Sequence, residues 1–216
     1  MISEINDIHT HVSTLKSAIH NVLPTEFKPN PGFYYSVGIH PWYIDSYSRE
    51  QWKLLESAAC HVQVLAIGES GLDNLRGPGK NEQIVHFEKH IRISEELAKP
   101  LIIHSVRTWQ DIIYIRKCNK LTQPWIIHGF RGKPQIAEQL LKAGIYISFG
   151  EKYQEESLKI TPLSHLFIET DESISPIGEL YKKAAAIRKC EASLLHKSVQ
   201  ENILKTFKLL TPKSNN

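Results

Sequence analysis

The chain has 216 residues, 41% hydrophobic and 23% charged, long enough for one buried core and too apolar for a disordered chain. Its formal charge of +3 is too mild to mark a nucleic-acid binder by charge alone. It has no apolar run near the roughly 18–20 residues that cross a bilayer, no basic-then-apolar leader in MISEINDIHTHV, where Glu4 is acidic, and three scattered cysteines, Cys60, Cys118 and Cys190, that suit free thiols in a reducing compartment. The expectation is one cytoplasmic domain, residues 1–216, away from membranes.

Short apolar runs follow one another along the chain at Ile5–Ile8, Tyr34–Ile39, Val62–Ile67, Leu101–Ile103, Trp125–Ile127, Ile145–Phe149 and Leu166–Ile168. They are rich in Ile, Val and aromatics, as buried strands are. Ala18–Leu23 alternates weakly and offers a further short strand. Helical stretches lie between the later runs. Asn81–Ala98 places Ile84, Phe87, Ile91 and Ala98 near one face. Pro134–Ala143 begins with proline and precedes Gly144, a start and a stop signal. Pro176–Leu210 reads as two helices. Strands alternating with helices predict a parallel sheet with helical crossovers. The expected fold is α/β: a TIM-like (β/α) barrel, distorted or shortened, with about seven parallel strands. Its thin place is Val12–Phe33, which holds Pro24, Pro29 and Pro31 and is too short for a helix, a strand and another helix.

Histidine is abundant, 11 of 216 residues, and position explains why. The runs end, in order, on Asp7 with His9 and His11, then His40, Glu69, His104, His128 and Asp171. Only Ile145–Phe149 ends without such a group. Strands of a parallel barrel converge at that end, where active sites are built. In an extended strand, residues two apart face the same side, so His9 and His11 can reach one metal. Asp7 shares that face and could orient a ligand from behind. Each residue alone has a plainer reading: a solvated strand, a salt-bridged end for Glu69, core histidines for His104 and His128, a helix cap for Asp171. Together, four histidines and two carboxylates form a ligand set for two metals. His86 and His90 are four apart on a helix, but Phe87 stands where the metalloprotease pattern needs Glu, and they read as a mostly solvated face. His20, His61, His165 and His196 have no partner pattern. No Walker loop or nucleophile elbow is present.

The stretches Asp-Ile-His-Thr-His (7–11), Gly-Ile-His-Pro-Trp (38–42), Ala-Ile-Gly-Glu-Ser-Gly-Leu-Asp (66–73), Ile-Ile-His-Ser (102–105), Ile-His-Gly-Phe-Arg-Gly (127–132) and Glu-Thr-Asp (169–171) resemble, in this order, the TatD family of metal-dependent deoxyribonucleases in the amidohydrolase superfamily. The resemblance implies a TIM-like barrel holding two divalent metals. His9, His11 and Asp171 would hold one and His104 with His128 the other, with Glu69 as the bridge. It also implies a hydrolase acting on DNA. The chain departs from the family's pattern in the short Val12–Phe33 segment, in Val106 two residues after His104 where the family places arginine, and in the brief Glu172–Glu179 loop.

The expected chemistry is metal-assisted hydrolysis of a phosphodiester with Mg, Mn or Zn. Paired cations about 3.5–4 Å apart lower the pKa of a bridging water, and Asp171 acts as general base. Catalytic residues are Asp171, Glu69 and His40; His40 binds or protonates the scissile phosphate, or else fixes the turn at Pro41. Arg76, Arg107, Arg131 and Lys133 are candidate phosphate contacts. The expected partner is nucleic acid, DNA or else RNA. Two other readings stay open: an amidohydrolase-type enzyme on a small ester, amide or lactone, and a metal-binding interaction module without catalysis.

Overall fold

The computed structural model describes residues 5–12, 14–46 and 49–209; Glu4 and Leu210 of the sequence reading lie outside these. Eight parallel strands form one sheet in sequential order: β1 (Asp7–Thr10), β2 (Ala18–Val22), β3 (Tyr34–Val37), β4 (Val64–Asp73), β5 (Leu101–Val106), β6 (Trp125–Ile127), β7 (Ile145–Phe149) and β8 (Leu166–Ile168). The cylinder is joined between its first and last strands by a parallel bridge of Thr10 with Asp171. The His11 N–H donates to the Asp171 carbonyl at 3.0 Å, and the Asp171 N–H to the His9 carbonyl at 2.9 Å. The fold is the expected TIM-type barrel, and the weak alternation at Ala18–Leu23 is its eighth strand.

Among the described residues, seven α-helices follow the strands: α1 (Arg49–Ala59), α2 (Lys80–Glu96), α3 (Trp109–Cys118), α4 (Pro134–Lys142), α5 (Glu155–Ile160), α6 (Ile177–Arg188) and α7 (Ala192–Thr206). Ile126, Ile147, Leu166 and Phe167 have no exposed surface, as strands covered on both faces require. Gly144, at φ +72°, terminates α4, as its place in the sequence predicts. Among the described residues, no helix links β1 to β2 or β2 to β3. The proline-rich loop 23–33 covers that side instead: Phe27 packs edge-on against Tyr35 at 5.3 Å and near His61 at 5.4 Å. The two last helices brace the first strand: the Tyr181 hydroxyl donates to the Asn6 carbonyl at 2.9 Å, and Gln200 donates to the Ile5 carbonyl.

Two differences from the sequence reading affect the site. β4 does not stop before Glu69 but runs ten residues to Asp73, because Gly68 and Gly71 let it lie against its neighbour. A Cβ on Gly71 (φ +144°) would meet the His104 carbonyl oxygen at 2.1 Å. And the α2 histidines do not form a solvated face. His90 is 1% exposed; its Nε2 accepts the Ile39 N–H at 3.0 Å, its Nδ1 donates to the His86 carbonyl at 2.8 Å, and Trp52 lies against it.

Candidate metal centre

The C-terminal ends of the strands converge on one buried carboxylate. Glu69, mid-way along β4 and 4% exposed, has three imidazoles around Oε1: His128 Nε2 at 2.8 Å, His104 Nδ1 at 2.9 Å and His40 Nε2 at 3.1 Å. Two more face Oε2, His11 Nε2 at 3.3 Å and His9 Nε2 at 3.5 Å. Asp171 closes the far side, its Oδ1 3.8 Å from His9 Nε2 and 3.7 Å from His11 Nε2. The structure thus brings together all of His9, His11, His40, Glu69, His104, His128 and Asp171. Among the described residues, ligand atoms within 4.8 Å of one another occur in three groups: His9 with His11 and Asp171, His9 with Glu69 and His128, and His40 with Glu69 and His104.

The electrostatics follow from crowding. Burial works against charge on Glu69, yet the charge of His128 and hydrogen bonds from His104, His11 and His128 hold its carboxyl well below the usual range. Burial likewise opposes charge on His128, but the Glu69 carboxylate, with Glu169 behind, raises that imidazole well above its ordinary value. His9 is lowered, by its complete burial and by the charge of His128. Burial lowers His40 too, with Glu69 opposing.

The donor set fits a cation. Three ring nitrogens crowd one oxygen of Glu69, and each contact needs a proton on the ring or a positive ion between the groups. His9 is fully buried, and neither of its ring nitrogens has a hydrogen-bond partner. An orphaned imidazole between two carboxylates is costly unless something positive binds there. Mixed imidazole and carboxylate donors suit Zn or Mn by coordination preference.

Three supporting residues escaped the sequence reading. Glu169, fully buried, has its Oε1 3.3 Å from His128 Nδ1 and accepts the Gly129 N–H at 2.6 Å. Asp73 stands behind His104 at 3.1 Å and takes the Trp42 indole N–H at 2.6 Å. Asn21 on β2 accepts the Glu69 N–H at 2.7 Å. Asp73 and Glu169 stand in the stretches 66–73 and 169–171, where only their neighbours point to a site; Asn21 has no such neighbours. Asp7 does not touch an imidazole ring. Its carboxylate takes the Thr170 hydroxyl at 2.7 Å, the Thr170 N–H at 3.1 Å and the His9 N–H at 3.3 Å, so it fixes the backbone of both ends of the seam. Burial pushes its carboxyl up to about 7.

The cluster opens into a cleft of about 710 Å³ lined also by Trp42, Tyr43, Trp109, Arg107 and Arg131, with Glu26 and Glu172. Of the four candidate phosphate contacts, Arg107 and Arg131 line it. Arg76 instead lies over the Trp42 ring at 4.5 Å, and Lys133 precedes the first turn of α4; neither lines the cleft. His40 Nδ1 accepts the Trp42 N–H at 3.2 Å, which fixes the turn, while Nε2 faces Glu69 at 3.1 Å.

An eight-stranded parallel barrel with a histidine–carboxylate cluster at the C-terminal ends of its strands defines a TIM-type barrel with a built metal-ligand set. The model of the TatD related DNase family matches residues 5–208, and the chain belongs to that family. A metal-dependent hydrolase of Buchnera aphidicola subsp. Baizongia pistaciae is 35% identical over 178 residues, covering 77% of this chain and 67% of the relative. The metal-dependent hydrolase YcfH of Escherichia coli K12 is 33% identical over 147 residues, 63% of this chain and 54% of YcfH. The matched region therefore spans only about half to two thirds of these relatives. Among solved structures, the TatD homolog YjjV of E. coli superposes with a TM-score of 0.83 at 20% identity, covering 97% of this chain and 100% of that one. A TatD family hydrolase from Entamoeba histolytica gives 0.68 at 19% identity, covering 81% and 74%. These likenesses show the fold. No helix among the described residues is long and apolar enough to cross a membrane.

Proposed function

We propose that the chain is a metal-dependent hydrolase of phosphodiesters, a deoxyribonuclease, with nucleic acid as its substrate and two divalent cations, Mg, Mn or Zn, as cofactors. The observation that supports this most is the convergence of five imidazoles on Glu69 with Asp171 opposite. His9, His11 and Asp171 would hold one ion and His104 with His128 the other, with Glu69 beside both sets. When bound, such ions polarise a phosphoryl oxygen and acidify water.

The chain's own groups have separable tasks. The Asp171 side chain is 23% exposed where the other carboxylate of the cluster, Glu69, is 5% exposed, so it can meet a water entering from the cleft and take its proton. His40 offers Nε2–H beside Glu69, placed to bind or protonate the departing oxygen. Arg107 and Arg131 supply positive charge at the cleft, and Trp42, Tyr43 and Trp109 supply flat apolar surface, the combination that receives single-stranded nucleic acid. That lining favours a phosphodiester over a small amide or lactone.

The test loads metal-free protein with Mg²⁺, Mn²⁺ or Zn²⁺ and offers single-stranded DNA, RNA and a panel of small esters, with Asp171→Asn and Glu69→Ala alongside. Metal-dependent DNA cleavage lost in both variants is expected. Activity unchanged in both variants overturns the metal mechanism. Turnover confined to small esters overturns the nuclease reading, and stoichiometric metal without turnover points to a binding module.

A further inference from the structure

Asp73, the last residue of β4, is 4% exposed and belongs to none of the metal-ligand groups. Its two carboxylate oxygens meet four N–H donors. Oδ2 accepts from Trp42 Nε1 at 2.6 Å and lies 3.1 Å from His104 Nε2. Oδ1 accepts from the backbone N–H of Leu75 at 2.7 Å and of Arg76 at 3.2 Å. Its own main chain is clamped by Gln83 of α2, which is 2% exposed. Gln83 Oε1 accepts the Asp73 N–H at 2.7 Å, and its Nε2 donates to the carbonyls of Asp73, Arg76 and Pro78 at 2.9, 3.0 and 2.8 Å. The loop so held touches the turn that carries His40: a Cβ on Gly77 would meet the Pro41 carbonyl oxygen at 2.4 Å.

We propose that Asp73 is a positioning residue whose carboxylate keeps the His104 proton on Nε2, leaves Nδ1 free to hold a cation beside Glu69, and fixes Trp42 in the cleft wall through the same oxygen. The inference rests on the metal-dependent reading above. Its chemistry is specific to a carboxylate. An amide at this position turns an NH₂ group toward one pair of donors, either His104 with Trp42 or Leu75 with Arg76. A metal-holding imidazole whose second nitrogen donates to a carboxylate is locked in tautomer and direction, and such supports are typically worth about 10–100-fold in metal affinity. The competing reading confines Asp73 to forming the turn through Leu75 and Arg76, a role that leaves metal affinity alone.

The experiment titrates Mn²⁺ into the full chain and follows free Mn²⁺ by electron paramagnetic resonance, for wild type, Asp73→Asn and Trp42→Phe. Nitrogen-15 spectra of histidine-labelled, Zn²⁺-loaded wild type, assigned with His104→Gln, read the His104 proton directly. The expected result is a loss of about 10–100-fold at one Mn²⁺ site in folded Asp73→Asn, near wild-type affinity in Trp42→Phe, and a proton on Nε2 of His104. Wild-type affinity in Asp73→Asn overturns the proposal, as does an equal loss in Trp42→Phe. A His104 proton on Nδ1 in the loaded wild type overturns it without any variant, so a failure of Asp73→Asn to fold does not shelter it. If wild type takes up no Mn²⁺, the metal-dependent reading falls and this inference falls with it.

Discussion

His90 receives the backbone N–H of Ile39 on its Nε2 at 3.0 Å, across 51 positions of sequence. The imidazole must be neutral to accept, and burial pushes its pKa down to about 4. Above the ordinary histidine value near 6.5 neither folded nor unfolded chain is protonated there, and His90 adds no pH dependence. Between about 6.5 and 4 the unfolded chain gains a proton that the folded chain refuses. Stability therefore falls with falling pH across that window, by up to about 3 kcal/mol from this group. Urea unfolding at pH 8 and pH 5 checks this, with His90→Leu expected to flatten the difference. The same variant leaves the Ile39 N–H unpaired, at a cost of about 1–3 kcal/mol at pH 8.

Asp171→Asn should keep the fold and lose the chemistry. Its side chain is partly exposed, and its backbone carries the seam contacts to His9 and His11. Thermal midpoints of the metal-free protein should match wild type, while kcat falls by about 10²–10⁴, the usual worth of a general base. A variant with full kcat would remove Asp171 from the reaction.

Metal loading should stabilise the protein through Glu69. A ligand that binds only the folded state adds about 2.7 kcal/mol at a hundredfold excess over its Kd. Chelation of loaded wild type should lower Tm accordingly, and Glu69→Ala should show no metal-dependent shift. Calorimetry with and without chelator makes the comparison.

Trp42 presents its ring at the cleft with Arg76 over it. Base stacking on an aromatic is worth about 1–3 kcal/mol. Trp42→Ala should therefore raise KM for single-stranded DNA by about 5- to 100-fold, and leave KM for a small phosphodiester nearly unchanged. Equal effects on both substrates would mean that the ring supports the site and does not bind a base.

The strand ends were legible because each ligand closes or interrupts an Ile- or Val-rich run, and period-two geometry alone links His9 to His11. Gly144 and Pro134 were legible because their backbone preferences are local. Asn21, Asp73 and Glu169 were not, since what they do depends on which nitrogen the barrel sets against them. The burial of His90 was hidden for a related reason: a polar residue on the inner face of α2 is stable only because Ile39, on a distant segment, donates to it. β2 was faint because Ala18–Val22 is half-buried over its last three residues and carries His20 and Asn21 among its apolar ones.

The seam at Thr10 and Asp171 joins the first strand to the end of the last, and the residue that completes it also supplies a carboxylate to His9 and His11. Closing the cylinder and bringing Asp171 to His9 and His11 are therefore one and the same contact. A nascent chain that has made β1 to β7 holds the histidines and Glu69 but lacks Asp171, so the group of His9, His11 and Asp171 is incomplete. That one group is complete only when the C-terminal part of the chain has docked, and a local opening of this joint, without unfolding elsewhere, would take Asp171 away from it.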